Sequence, residues 1–456
     1  MNRFVFVFVL ASGCAATAPK IAEPKAHAVA APYVAEPERP SILSGDARAM
    51  TPSSTSKVNL EPCEIERRSG PGVRQTDARC YPFNGVSAVS RDATGTLVAL
   101  YSQSGSILLS DPTDGPPSVE TLPVWAPLWM RRHDGVLDVV SEVGWKRKAN
   151  GAWTDPAPRL DSGNLAFAAV WNGRNPVLLA RTGGTGGTHV SAFEFVGKWV
   201  ETPIWPTPDR PSTPPHGLQI EGMPGSLFFS YVPTWDGAGG LVVEPPRQHP
   251  VVAVPVVPRD VRGWRLAQRP GEPLPLVALM TDGDITVAMP DANGLYQTGT
   301  IPGARTQGPP RLPPPRDEPE PAVRDGVASC SETVDSVRAT RLAAPAPIVT
   351  SRGDFLLFVR HRVEQRHRWT AIPTVDGPRC DWLAERATDE KELVLAKLTR
   401  PSRGAPMRAE EVLRVAVPIA LGPEARPFLQ AEVVGGAIDV VVGSGMQVEH
   451  IVLDVP

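Results

Sequence analysis

The sequence predicts an all-β chain: one β-propeller of seven blades, with eight allowed, behind a disordered N-terminal tether. Three observations predict it. Short apolar runs recur about every 40 to 50 residues, the period of four-stranded propeller blades. Asx-Gly dipeptides, which supply the positive φ angles of tight hairpins, are spread along the whole chain. The 52 prolines among 456 residues are scattered so widely that a long helix would meet one, at a cost of about 3 kcal/mol each. A row of tandem β-sandwich domains is the alternative, because it uses the same short strands and turns.

Residues 1–13 read as an export signal. Met1-Asn2-Arg3 carries a positive charge and residues 4–11 form an apolar run, too short to span a bilayer. The run leads into Ala11-Ser12-Gly13-Cys14, which resembles the lipobox of bacterial lipoproteins. The resemblance implies cleavage before Cys14, acylation of Cys14 with palmitate-type chains, and an outer-membrane address, because Ala15 rather than an aspartate follows. Two or three acyl chains anchor stably where one does not. Residues 14–58 are rich in Ala, Pro and Ser and bury too little apolar surface to offset the entropy of ordering them. They read as a spacer stiffened by proline.

Of the five cysteines, Cys14 is the lipid site and four remain. An even count in an exported chain suggests disulfides. Four cysteines allow three connectivities; the sequential one, Cys63 with Cys80 and Cys330 with Cys380, closes the shortest loops. No CxxC or clustered His-Cys spacing favours a metal, and no cofactor is expected.

The body, residues 59–456, carries the repeat. Its middle strands are expected at 97–101, 137–140, 176–180, 227–231, 274–280, 355–359, 393–396 and 438–442. Partners follow at 106–110, 285–289 and 448–453, with turns such as Asp134-Gly135, Asn150-Gly151 and Asp325-Gly326 between strands. Residues 309–342 read as a proline- and acid-rich insertion, and residues 407–415 as a turn or two of helix. The last unit lacks an outer strand, which a ring borrows from the other end of the chain. Residues 57–65 are the expected lender, pinned by the Cys63–Cys80 bridge.

No complete catalytic set is visible. The chain has no GxSxG, no DxDxDG calcium loop, and a glycine-rich stretch at 183–187 that lacks the Lys-Ser/Thr of a phosphate loop. Arg352-Gly353-Asp354 reads as a turn before a strand. Eleven tryptophans, among them Trp129, Trp145 and Trp171, suit packing between blades or a sugar cleft. The densest polar group is Arg360, His361, Arg362, Glu364, Arg366, His367 and Trp369. It reads either as a solvated hairpin or as an anion- or glycan-binding one, with guanidinium forks for carboxylates and an indole face for a ring.

A net charge of -3 gives no basic field for nucleic acid. The expected function is therefore a lipid-anchored, envelope-exposed, non-catalytic binding or scaffold module, with an envelope protein or a polysaccharide as partner. In arrangement it resembles the propeller lipoprotein of the outer-membrane barrel-assembly machinery, at the level of fold alone. A carbohydrate-active hydrolase or lyase with its site in the central funnel is the alternative.

Overall fold

The computed structural model describes residues 39–454 except 48, 51–53, 143, 161–163, 172–174, 185–186, 206–215, 224–225, 233–240, 245–251, 255–260, 282, 292, 305–311, 316, 331–333, 401–405 and 418–427. Cys14, the export signal and the spacer up to residue 38 lie outside the described residues.

Among these, the chain is all strand. It begins with β1 (Leu43–Ser44), β2 (Ala49–Met50), β3 (Ser54–Leu60), β4 (Cys63–Gly70) and β5 (Val73–Cys80). The first blade is β6 (Gly85–Asp92), β7 (Gly95–Ser102), β8 (Gly105–Pro112) and β9 (Ser118–Leu122). The second is β10 (Trp129–His133), β11 (Val136–Ser141), β12 (Gly144–Ala149) and β13 (Ala152–Thr154). The third is β14 (Asn164–Trp171), β15 (Pro176–Gly184), β16 (Gly187–Phe195) and β17 (Trp199–Trp205). The fourth is β18 (His216–Met223), β19 (Ser226–Val232), β20 (Leu241–Glu244) and β21 (Val252–Val254). The fifth is β22 (Val261–Ala267), β23 (Leu276–Thr281), β24 (Asp284–Pro290) and β25 (Tyr296–Ile301). A small hairpin, β26 (Ala322–Arg324) and β27 (Val327–Ser329), precedes the sixth blade. That blade is β28 (Val334–Thr350), β29 (Gly353–Thr374), β30 (Gly377–Thr399) and β31 (Arg408–Ala416). The seventh is β32 (Phe428–Val434), β33 (Ala437–Ser444) and β34 (Gln447–Asp454), completed by β5.

This is a seven-bladed β-propeller. The first strands meet around the axis, β6 with β10, β10 with β14, β14 with β18, β22 with β28, β28 with β32 and β32 with β6. Among the described residues, a blade is apolar on both faces because each face meets a neighbour. In β7, Val98 and Leu100 pack with Val441 and Val448 of the seventh blade, while Leu97 and Ala99 pack with Leu137 and Val139 of the second. A strand buried on both faces reads as a continuous apolar run, which is why the middle strands stand out in the sequence. Each fully buried leucine contributes about 1.5 to 3 kcal/mol. The hairpin chemistry holds too: φ is +49° and +75° at Asp134 and Gly135, and +52° and +79° at Asn150 and Gly151, the left-handed pair of a type I′ turn.

Several expectations are corrected. The strand that completes the seventh blade is β5, whose Thr76 and Ala78 pair with His450 and Val448. Residues 57–65 fall one and two strands further out, in β3 and β4, because the chain reverses at 71–72 and only its last N-terminal strand reaches β34. The Cys63–Cys80 bridge joins β4 to β5 at a paired position. The run at 393–396 is not a blade of its own but part of β30, paired to β29, so the count is seven rather than eight. Residues 407–415 are not helical. In β31, Ala409, Glu411, Leu413 and Val415 are buried in alternation, a period of two that the free edge of β30 imposes over helix propensity. Part of the expected spacer is also strand: β1 and β2 add in parallel to β31, and Ile42, Leu43 and Met50 pack on the core. The expected insertion at 309–342 ends earlier, since β28 starts at Val334.

The sixth blade is unusual in length. β29 and β30 pair without a break in direction from Asp354 with Leu398 to Thr374 with Gly377, whereas β31 accompanies them only along Glu392–Thr399. The remainder is an arm that rises on the order of 45 Å at about 3.4 Å per residue. Cys330–Cys380 ties the arm to the segment carrying the β26–β27 hairpin.

Candidate functional site

The arm separates the polar residues from 360 to 369 rather than gathering them. They lie within β29, and a strand turns alternate side chains to opposite faces. His361, His367 and Trp369 are buried, while Arg366 and Arg368 are exposed. Arg360, 5% exposed, donates to Glu392 at 3.0 and 2.8 Å and to Glu411 at 2.7 and 3.1 Å. These carboxylates hold its guanidinium above its ordinary pKa against the opposing effect of burial. His361 contacts Asp389, and burial lowers its pKa despite that partner. Arg362 lies 3.6 Å from Glu392, and Glu364 faces Arg338 at 3.2 Å. His367 stacks on Trp382, which also meets Trp369, and accepts the Leu312 N–H at 3.2 Å. These residues build the arm's own small core. The Arg352-Gly353-Asp354 tripeptide is a strand turn whose Asp354 is buried and bound to Arg269 at 2.9 Å and Arg400 at 3.3 Å.

What converges instead is the axis. A cavity of about 940 Å³ is lined by β6, β10, Arg265 of β22, and Phe428, Gln430 and Glu432 of β32. A second of about 430 Å³ shares Trp129, Arg265, Gln430 and Glu432 and reaches Trp171 and Pro347. Every lining strand named is the first of its blade, so sequence positions more than 300 apart meet at one place. Trp129 and Trp171 stack with ring centres 5.5 Å apart and planes at 4°. The Arg131 guanidinium lies 5.1 Å from the Trp171 ring centre, a cation–π contact, and His133 and Trp145 flank the same indole.

The charges at this end of the ring sort into paired and unpaired. Arg132 grips Asp92 with two bonds of 2.7 and 2.6 Å, which hold the Asp92 carboxyl at about 2 against its partial burial. Arg91 is 2.8 Å from Asp439, and Asp138, fully buried, takes Trp145 and Arg147. Arg131 has no carboxylate partner among the described residues, and Arg265, exposed to the cavity, has no polar partner among them. The Trp171 Nε1 and His133 Nδ1 atoms are buried without a hydrogen bond among the described residues. Glu432 opens to the cavity but is ringed by protein. Loss of water raises its carboxyl above the ordinary range, a nearby Asp439 adds to that, and a bond from Gln430 opposes it. The cavity is thus donor-rich and flat-walled on one side.

The sequence pointed to Trp129 and Trp171 only as members of a large set, and missed Arg131, His133, Arg265, Gln430 and Glu432. Their one signal is position: each lies in the strand that opens its repeat.

No known protein family matches the chain, and no curated protein matches it. Among solved structures, the chain is similar to Sqt1 of Saccharomyces cerevisiae, at 11% identity and a TM-score of 0.37 over 82% of this chain and 96% of that one. It is similar to apo AztD from Citrobacter koseri at 10% identity and a TM-score of 0.32, over 80% and 88%. It is also similar to the Bombyx mori GH32 beta-fructofuranosidase BmSUC1, at 8% identity and a TM-score of 0.25 over 84% and 89%. Likeness at this level carries no argument about ligand, partner or activity.

Proposed function

We propose that this chain is an exported, lipid-anchored, non-catalytic binding module that takes an envelope polysaccharide in the axial cavity. The observation that carries the reading is the cavity itself: stacked Trp129 and Trp171 beside Arg131 and Arg265, two cations without a carboxylate partner among the described residues. Indoles offer a flat apolar face, and guanidinium forks fix polar groups of a ligand at its rim. Asp92 is held by Arg132 and is not free to act as a base. Two disulfides support export, since such bonds persist in oxidising compartments. The lipobox-like residues 11–14 support acylation of Cys14 and an outer-membrane location.

Full-length protein extracted in detergent tests this on an array of envelope polysaccharides with a parallel assay for released reducing ends. Retention of a glycan without turnover is the expected result, and turnover without retention overturns it. A clickable fatty acid should label the wild type and not Cys14→Ser; equal label on both removes the anchor.

The second reading, a carbohydrate-active hydrolase or lyase, is favoured by one observation, the raised carboxyl of Glu432, which suits a proton donor. Loss of any measured turnover in Glu432→Gln, with binding intact, would establish it in place of the first.

A further inference from the structure

Resting on the cavity as the binding site, we propose that its ligand is an acidic glycan whose carboxylates are held by Arg131 and Arg265, with a sugar ring against the Trp129 indole. Four arginines line the larger cavity. Two are neutralised within the protein, Arg132 by Asp92 and Arg91 by Asp439. Of the other two, Arg265 is exposed and Arg131 lies over the Trp171 ring; neither has a carboxylate partner among the described residues, and a guanidinium fork matches a carboxylate through two parallel bonds. A cationic ligand would meet these charges directly.

Size selects further. A free phosphate or acetate would leave most of about 940 Å³ empty, whereas cavities of this size enclose whole organic ligands. The adjoining space beside Trp171 and Pro347 extends the site along the axis, which suits a short run of linked rings rather than one. Glu432 and Gln430 lie between the two spaces, lining both.

Tryptophan fluorescence and calorimetric titration of the full-length protein in detergent provide the test. The probes are oligogalacturonate, oligomannuronate, the methyl ester of the first, and a neutral malto-oligosaccharide of equal length. At least one oligouronate should bind at least about tenfold more tightly than the ester and the neutral sugar, the loss expected when a charged hydrogen-bond partner is removed. Arg265→Ala and Arg131→Ala should each remove most of that preference, Arg265→Lys should retain part of it, and Arg366→Ala on the arm should change nothing. Arg265 is exposed, so its variant reports on binding rather than folding. If the ester and the neutral sugar bind as well as the oligouronates, and Trp129→Ala abolishes all three, the acidic class is wrong while the cavity stands as the site. If no saccharide binds and Trp129→Ala alters nothing, both readings fall. Preference for a single-stranded oligonucleotide over every saccharide overturns the glycan class.

Discussion

His450 Nδ1 lies 2.7 Å from Asp111 Oδ2, so β34, the third strand of the seventh blade, is bonded to β8, the third strand of the first. The other ring nitrogen faces Asp439 at 3.0 Å and Thr96 at 2.9 Å, and Arg67 reaches Asp111 from β4. His450, Asp111, Asp439 and Thr96 are buried. The two carboxylates raise the imidazole pKa although burial alone would lower it. This is an ionic clasp across the seam of the ring.

The clasp makes stability depend on pH at both ends. A histidine whose folded pKa is raised contributes fully below the unfolded value of about 6.5 and loses that contribution as pH rises through the folded value. Asp111, held at about 2, contributes above its unfolded pKa and loses it as pH falls toward 2. The clasp's own contribution, read as the difference in melting temperature between the wild type and His450→Gln, should therefore be flat between roughly pH 4 and 6.5. In His450→Gln, with Asp111 and Asp439 left buried, stability should fall by about 3 to 5 kcal/mol and the alkaline slope should flatten. An unchanged slope would show that the imidazole is neutral.

Glu449, one residue earlier, has the opposite character. It is fully buried, its partner is the Gln75 amide, and Asp77 pairs opposite it. Burial, with the Asp77 charge behind it, pushes the carboxyl to about 8. A raised carboxyl supports the fold while protonated and costs stability as pH climbs from about 4.5 to 8. Glu449→Gln should raise the melting temperature at pH 9, by an amount equivalent to a few kcal/mol, and change little at pH 5. Equal effects at both pH values would locate the gain elsewhere.

Arg360 and Arg366 separate structure from surface on one strand. Arg360→Ala would strand Glu411 in the interior and leave Glu392 only the looser contacts of Arg362 and Arg414, at about 3 to 5 kcal/mol. Arg366→Ala, on the exposed face, should stay within about 0.5 kcal/mol. Urea titrations of the two variants give the comparison, and similar midpoints would contradict the burial of Arg360.

Removing a disulfide should act globally at one site and locally at the other. Cys63–Cys80 spans 17 residues and fastens the sheet that closes the ring, so Cys63→Ala with Cys80→Ala should cost about 3 kcal/mol of global stability. Cys330–Cys380 fastens only the arm. Its loss should speed proteolysis between residues 312 and 391 while leaving the main unfolding transition in place, and a large shift of that transition would show the arm to be integral to the ring.

Much of the ring was legible because strands buried on both faces announce themselves as runs such as 97–100 and 438–442, and because Asx-Gly pairs such as Asp134-Gly135 and Asn150-Gly151 mark hairpins that need positive φ. What misled was local pattern under tertiary control. MRAEEVLRV has good helix formers, but an open strand edge beside it decided otherwise. The charged run at 360–369 was dense in sequence and dispersed in space, since a strand splits neighbours between two faces. The cavity residues were invisible for the converse reason: Arg131, Arg265 and Glu432 are far apart in sequence and meet only because the first strand of every blade faces the axis.

The pairing of β5 with β34 also dictates when folding can finish. Gln75 and Glu449 are 374 residues apart, and by the logarithmic rule joining ends at such a distance costs about 5 kcal/mol of chain entropy. Nothing local can prepay it. Until residues 447–453 are present, the edge of β5 that they cover is open to stray pairing, so a chain cut short before residue 447 is expected to aggregate.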